Sequence, residues 1–81
     1  MDRNVENKPP RPLSMVKAGE TVKLTRVNAG RGLNIRLASM GLLPNVTLTV
    51  VTNGHPGPFV ISVKDSKMVL GRGVADKIMV S

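Results

Sequence analysis

Short runs of alternating apolar and polar residues limit the folds open to this chain more than any other feature of its sequence. Alternation with a period of two places apolar side chains on one face of a β-strand, and turn-forming residues separate the runs. The runs predict five strands, over residues 22–27, 46–51, 59–64, 68–70 and 78–80. Five short strands with close turns favour a small, strongly bent antiparallel barrel whose first and last strands can pair.

One segment between the first two predicted strands has a helical period instead. Leu33, Leu37 and Met40 occupy positions i, i+4 and i+7, so a helix would present all three on one buried face. Gly41 follows directly, at the position where a left-handed residue ends many helices. We therefore predict a mainly β fold with one inserted short helix, and we expect Leu37 in the core.

A single domain accounts for most of the chain, because 81 residues suffice for one domain only. Residues 1–12 contain three of the six prolines and only two apolar residues, Met1 and Val5, which is too little to build a packed element. We expect residues 1–12 to be a disordered leader and residues 13–81 to form the folded domain.

Composition excludes several kinds of site. Cysteine is absent, which removes disulfides, thiolate nucleophiles and Cys-ligated zinc or iron–sulfur centres. Phe59 is the only aromatic residue, which argues against base-stacking surfaces and against aromatic grooves for proline-rich peptides. No apolar run approaches the roughly 20 residues of a membrane span, and no signal-peptide core follows Met1. We expect a soluble protein, and the lack of cysteine is compatible with the cytoplasm.

Catalytic and metal-binding residues are equally scarce. His55 is the only imidazole, and it lies in a loop rich in glycine and proline with no sequence indication of a partner for acid–base work. Glu20, Asp65 and Asp76 each lie at a turn or strand end, where carboxylates usually accept backbone hydrogen bonds. We predict no catalytic residue, no enzyme activity, no cofactor and no resident metal, with His55 only a weak candidate for a metal ligand.

Basic residues dominate the charge of the chain. Lysine and arginine number 12 against five carboxylates, which gives a net charge of +7. Such a balance suits phosphate, RNA, anionic lipid or an acidic protein surface, while charge scattered over a small domain can also serve solubility alone. Charge by itself leaves these partners open.

The tripeptide Gly-Arg-Gly occurs twice, at residues 30–32 and 71–73. Glycines let backbone amides approach a phosphate, and Arg31 or Arg72 could bind it through two N–H groups. Neither copy continues into a complete phosphate-loop or dinucleotide motif. We favour the other interpretation, in which both copies are turns at helix starts with solvent-facing arginines.

Leu42 and Leu43 are two consecutive apolar residues that follow the predicted helix cap. A domain this small can leave one of the two exposed, and Leu43 lies farther beyond the cap. Arg36 falls off the apolar face of the helix and therefore points to solvent. We predict a partner-binding surface with Leu43 as its apolar centre and with Arg31, Arg36 and Arg72 as its charged residues.

The helix and the turn after it carry a more specific signal. They resemble the signature Arg-Leu-x-x-Met-Gly-Leu-x-Pro-Gly of the FeoA family, ferrous iron transport protein A, and in this chain they read Arg36-Leu37-Ala38-Ser39-Met40-Gly41-Leu42-Leu43-Pro44-Asn45. The later strands match in order and spacing through Val46-x-Leu48-x-Val50, Gly57-Pro58, Ile61-x-Val63 and Ala75-x-x-Ile78-x-Val80. The resemblance spans residues 13–81. The chain departs from the family at Asn45 and Ser66, where glycine is usual, and at Gly71-Arg72-Gly73, where longer charged side chains are common.

This resemblance implies an SH3-like barrel with an inserted helix, related to the C-terminal domain of iron-dependent repressors. It also implies a cytoplasmic, non-enzymatic accessory role in ferrous iron uptake, beside FeoB, a membrane transporter with a GTPase domain. On this interpretation the chain contacts FeoB without entering the membrane. The scarcity of aromatic residues disfavours nucleic acid as a partner, and self-association into a weak homo-oligomer stays open. The rival function is a small basic barrel that binds structured RNA, which the charge supports and the missing aromatics oppose.

Overall fold

The computed structural model describes residues 9–54 and 56–81. Six strands and two helices make up this part of the chain: β1 (Arg11–Pro12), β2 (Thr21–Val27), α1 (Arg31–Ser39), β3 (Thr47–Asn53), β4 (Phe59–Val63), β5 (Ser66–Leu70), α2 (Arg72–Ala75) and β6 (Ile78–Val80). A 3₁₀ turn covers Leu13–Met15. The prediction of a mainly β fold with an inserted short helix is confirmed. β1 is an addition to it, and α2 is a single helical turn at the second Gly-Arg-Gly, where the sequence predicts a helix start.

The strands form one antiparallel sheet in the order β1-β6-β2-β3-β4-β5. The predicted pairing of the first and last long strands is confirmed, because β2 pairs with β6 from Leu24 opposite Val80 to Val27 opposite Ile78. Register shifts in β2, and in β3 between Val50 and Thr52, add local bends that curve the sheet. Within the described residues β1 and β5 do not pair, so the curved sheet resembles a barrel that stays open along one side.

The core lies on the concave side of this sheet and is entirely apolar within the described residues. It collects inward-facing residues from β2 to β6, from both helices and from the 3₁₀ turn: Leu13, Val16, Val22, Leu24, Leu37, Leu42, Leu48, Val50, Phe59, Ile61, Val63, Leu70, Ala75, Ile78 and Val80. The predicted burial of Leu37 is confirmed. The period-two pattern of the strands therefore places their apolar side chains on the face that forms the core.

The folded region begins earlier than residue 13. Residues 1–8 of the predicted leader lie outside the described residues, but Arg11 and Pro12 form β1 and pair with β6. The Arg11 guanidinium donates to the Glu20 carboxylate at 3.3 Å, and the Lys17 backbone N–H donates to the same carboxylate at 2.9 Å. The Lys17 hydrogen bond, and after it the Arg11 contact, hold the pKa of Glu20 below its ordinary value. These contacts fix the end of the leader against the start of β2.

The end of α1 differs from the prediction in one position. Met40 is 43% exposed and does not extend the buried face of the helix, because Gly41 adopts a φ of 93° and turns the chain back. The Leu42 N–H donates to the Leu37 carbonyl at 2.9 Å and the Gly41 N–H to the Ala38 carbonyl at 3.0 Å, which is the Schellman arrangement. This reversal turns Leu42, and not Met40, into the core.

Candidate functional site

An open apolar groove lies between β2, α1 and the segment that follows the helix. Its volume is about 310 Å³. The residues that line it are Leu24, Arg26, Val27, Asn34, Ile35, Ala38, Leu42, Leu43 and Pro44. Two of its large aliphatic side chains reach well into solvent, since Ile35 is 59% and Leu43 50% exposed. The groove therefore offers an uncovered apolar surface on a small basic domain.

Backbone hydrogen bonds fix the wall that carries Leu43. After the Gly41 reversal, Asn45 takes a φ of 75°, and its N–H donates to the Leu24 carbonyl at 2.7 Å. The Leu24 N–H donates in turn to the Val46 carbonyl at 2.9 Å. Asparagine tolerates this left-handed conformation better than most residues, so it can stand where the family usually has glycine. The turn is thus bound directly to β2, and Leu43 is held at the mouth of the groove.

The other wall is fixed by the side chain of Asn34. Its amide donates to the carbonyls of Ala29 at 2.9 Å and Gly30 at 3.1 Å, and more distantly to that of Val27 at 3.5 Å. These bonds hold the first turn of α1 against the loop that joins it to β2, and the contact with Val27 reaches the end of β2 itself. Arg26 supplies its charged edge, and the Arg26 Nε–H donates to the Asn28 side-chain oxygen at 3.0 Å.

The structure brings some of the predicted site residues together. Leu43 lines the groove, whereas Arg31 and Arg36 are exposed on α1, the helix that forms one of its walls. Gly30 is the N-cap of α1 and Arg31 its first residue, so the interpretation of residues 30–32 as a helix start with a solvent-facing arginine is confirmed. Whether these residues contact a partner stays a prediction.

Arg72 does not belong to this groove. Gly71 caps α2, as the second Gly-Arg-Gly predicts, but the expectation that Arg72 faces solvent is wrong. Its guanidinium donates to the Asn53 side-chain oxygen at 2.8 Å and to the Gly54 carbonyl, and it lies 5.7 Å from the centre of the Phe59 ring. Arg72 is half-buried because it joins α2 to the end of β3, which is a structural role.

Two residues of the groove were missed by the sequence analysis. Ile35 is out of phase with the buried face of α1, and a large aliphatic residue on the polar side of a helix is the signal that identifies it. Arg26 gives no such signal, since a basic residue at the end of a strand is common on any surface. Its position on the groove follows only from the packing of α1 against β2.

Metal-binding residues do not gather in the part of the chain that the structure describes, where no group of three His, Asp or Glu side chains lies together. His55, the weak candidate, lies outside the described residues. Over residues 9–54 and 56–81 no helix is both long and apolar enough to cross a lipid bilayer.

Comparison with known proteins gives a consistent result. The family profile of the FeoA domain matches residues 11–81. A curated protein from Methanocaldococcus jannaschii, whose name assigns it provisionally to Fe(2+) transport as protein A, is 45% identical over 69 residues, which are 85% of this chain and 83% of that protein. The crystal structure of an iron uptake regulatory protein (FeoA) matches with a TM-score of 0.81 and 31% identity, over 91% of this chain and 97% of the other.

A manganese-dependent transcriptional repressor has the same fold in part of its chain. Its TM-score is 0.82 at 24% identity, and the match covers 95% of this chain but 43% of the repressor. At this identity the likeness concerns the fold alone. These neighbours confirm the predicted SH3-like architecture with its inserted helix.

Proposed function

The chain belongs to the FeoA family, and from this we propose that it is a non-enzymatic accessory protein of ferrous iron uptake, acting in the cytoplasm through direct contact with a FeoB-like transporter. The family match supports the role in ferrous iron transport. Contact with a FeoB-like transporter, and action through that contact, are what we propose beyond it. The groove supports action by contact, because its lining is aliphatic apart from Arg26 and Asn34, neither of which is a nucleophile or a general base at neutral pH.

One observation carries this proposal, namely that Ile35 and Leu43 line the same groove and are both exposed. Large aliphatic side chains that stand beside each other on a monomer surface are typical of protein interaction sites, in which a buried apolar centre is surrounded by a polar rim. Arg31 and Arg36 are exposed on the same helix and would form such a rim. The contact would thus use α1 and the turn after it, with Leu43 as the apolar anchor.

A binding experiment tests the proposal with two substitutions that act differently. Leu43→Ala should increase the dissociation rate from the soluble GTPase-containing domain of the transporter by about tenfold, the equivalent of roughly 1.4 kcal/mol. Arg36→Glu should mainly slow association, and more so at low salt, where charges act over a longer distance. Surface plasmon resonance at two salt concentrations separates the two rates.

The matched controls are Val69→Ala and Lys67→Glu, which change exposed residues of β5 at the far edge of the sheet. Both controls should bind like the parent chain. If folded Leu43→Ala and Arg36→Glu also bind like the parent and restore ferrous iron uptake equally well in cells that lack the protein, the proposed contact is wrong. Binding to a structured RNA whose salt dependence indicates several phosphate contacts would instead support the rival function.

A further inference from the structure

We infer that the groove binds an acidic segment of the partner in which one large aliphatic side chain is flanked by carboxylates. This inference rests on the proposed function and adds to it the chemistry of the partner. It follows from the charge of the elements that form the groove, from the size of the groove and from the backbone hydrogen bonds that β2 already makes.

The charge of the walls has one sign. No aspartate or glutamate occurs in the sequence between Glu20 and Asp65. β2, α1 and the segment that follows the helix all fall within this interval, and they carry four basic residues: Lys23, Arg26, Arg31 and Arg36. Each element that forms the groove is therefore neutral or positive, and a partner with negative charge is attracted to it along its whole length.

Two of the three acidic side chains that the structure describes are engaged away from these walls. Among the described residues the one ion pair joins Arg11 to Glu20, on the side of the sheet where β1 lies. Asp76 accepts a hydrogen bond from the Ser14 hydroxyl instead. Arg26 donates its Nε–H to Asn28, and within the described part of the chain its terminal NH₂ groups donate no further hydrogen bond, so they are placed to bind a carboxylate.

The apolar part of the groove is sized for a small number of side chains. At about 310 Å³ it lies at the lower end of the range for ligand pockets, about 300–1,000 Å³. Its base is formed by the buried residues Leu24 and Leu42, and its mouth by Ile35 and Leu43. A branched aliphatic side chain that enters the groove would remove apolar surface of its lining from water, as an interface anchor does.

The recognition must come from side chains. Beside the groove β2 pairs with β6 from Leu24 to Val27. On its other side Leu24 is hydrogen-bonded through its N–H to Val46 and through its carbonyl to Asn45, and the Val27 carbonyl accepts from the Asn34 side chain. Within the described residues the groove therefore offers no continuous strand edge to which a peptide could add by backbone pairing. A second copy of this chain would bring another net charge of +7 toward the same walls. RNA would bring phosphates against an aliphatic base that has no aromatic ring on which a nucleobase could stack. An acidic segment with an aliphatic anchor satisfies both the charge and the apolar base.

A set of synthetic peptides tests this chemistry on the full chain without assuming the transporter. The reference peptide has a central leucine flanked by aspartates and glutamates, one variant replaces the leucine by serine, and another replaces the acids by asparagine and glutamine. NMR titration of the labelled protein should place the reference peptide at Ile35, Ala38 and Leu43. Each variant peptide should bind at least about tenfold more weakly, the loss expected for one good apolar or charged contact.

Variants of the protein provide the matching half of the experiment. Ile35→Ala and Arg26→Gln should each weaken binding of the reference peptide several-fold, while Val69→Ala and Lys67→Gln, on β5, should leave it unchanged. Absence of binding at the groove, equal binding of all three peptides, or loss of binding in the β5 controls would overturn the inference. Displacement of the peptide by RNA, or dimerisation of the chain that Ile35→Ala abolishes, would also overturn it.

A parallel titration with the GTPase-containing domain of the transporter separates this inference from the proposed function. If that domain binds with little salt dependence and its binding is unaffected by Arg26→Gln, the proposed function stands and the acidic segment is wrong. If the reference peptide binds at the groove and the transporter domain does not bind at all, the chemistry of the groove stands and the proposed partner is wrong.

Discussion

Ile35 and Leu37 lie two positions apart on α1, and their surroundings are opposite. Leu37 is 3% exposed within the core, whereas Ile35 is 59% exposed on the groove. We expect Leu37→Ala to lower the free energy of unfolding by about 2–5 kcal/mol, because it removes buried apolar volume that the core cannot refill. Ile35→Ala should change it by less than about 0.5 kcal/mol. Urea unfolding followed by circular dichroism measures both, and equal midpoints for Leu37→Ala and the parent would contradict this account of the core.

Asn53 connects three parts of the fold through one side chain. Its amide donates to the carbonyls of Ser14 at 3.1 Å and Val16 at 2.8 Å, and its oxygen accepts the Arg72 guanidinium. Asn53→Ala leaves two carbonyls and a half-buried guanidinium without these partners, so we expect a loss of about 1–3 kcal/mol in the free energy of unfolding.

The neighbouring residue provides the control for Asn53. Thr52→Ala removes one exposed hydrogen bond, from the Thr52 hydroxyl to the Pro58 carbonyl at 3.2 Å, and should cost distinctly less. The two variants are compared in the same urea unfolding experiment. If Thr52→Ala proves as destabilising as Asn53→Ala, the hydrogen bonds of Asn53 contribute no more to the free energy of unfolding than one exposed hydrogen bond does.

The two Gly-Arg-Gly copies show where a sequence pattern stops being informative for single residues. The pattern places glycine before a helix in both cases, and the structure agrees for Gly30 and Gly71. The pattern does not predict which residues the arginine contacts. Arg72 contacts Asn53 and Phe59, which come from distant parts of the sequence, whereas the described residues near Arg31 leave its side chain exposed. Local patterns predict local conformation, and tertiary contacts decide the role of the side chain.

The C-terminus of α1 depends on the backbone of one glycine. Gly41 has a φ of 93°, and a Cβ added there would meet no atom within 4 Å, so the cost of Gly41→Ala comes from the backbone alone. We expect that substitution to destabilise the domain by about 1–2 kcal/mol, the penalty of a left-handed conformation for an L-residue.

Gly32→Ala is the matched substitution inside the same helix. Its site is equally open, but its backbone is helical, so alanine should stabilise the domain by about 0.4–1 kcal/mol. Thermal unfolding of both variants gives the comparison. The same sign for both changes would show that the left-handed cap does not set the end of the helix.

Elements with a regular apolar pattern were predictable, down to the three residues of β6, and β1 was not. The long strands follow from alternation, and α1 follows from the spacing of Leu33 and Leu37. β1 consists of two residues, one of them proline, and has no period to detect. The spacing of Leu33 and Leu37 continues to Met40 and predicts it on the buried face, but the reversal at Gly41 brings Leu42 into the core instead. A helix cap changes the direction of the chain, so residues beyond it cannot be assigned to a face by continuing the helical period.

The groove is a property of the assembled domain, and its residues were predictable to different degrees. Leu43 is predictable from its position beyond the helix cap, and the exposure of Arg36 beside the groove from its position off the apolar face of α1. Arg26 comes from a strand and meets the helix only after β2 has paired with β3 and β6. The absence of acidic residues between Glu20 and Asp65 is visible in the sequence, but its meaning depends on the fold that gathers this interval around one groove.

Binding of ferrous iron can be tested on the chain as a whole. The sequence contains one histidine and no cysteine, and in the described residues no three His, Asp or Glu side chains lie together. Iron sites in proteins usually combine several nitrogen, oxygen or sulfur ligands, and a single imidazole gives weak binding. An accessory protein that acts by contact with a transporter also has no need to hold the ion.

We therefore expect anaerobic calorimetry of the full chain with Fe(2+) to show binding no tighter than the weak micromolar range. His55→Ala should reduce whatever binding there is, and Fe(2+) should barely raise the unfolding midpoint of the parent chain, because a ligand that binds weakly adds little to the stability of the native state. Binding of the transporter domain should be equal for the parent and for His55→Ala, which separates partner contact from metal binding. A stoichiometric, submicromolar Fe(2+) site that disappears in His55→Ala would show that the protein carries the ion, and contact alone would then be an incomplete account of its action.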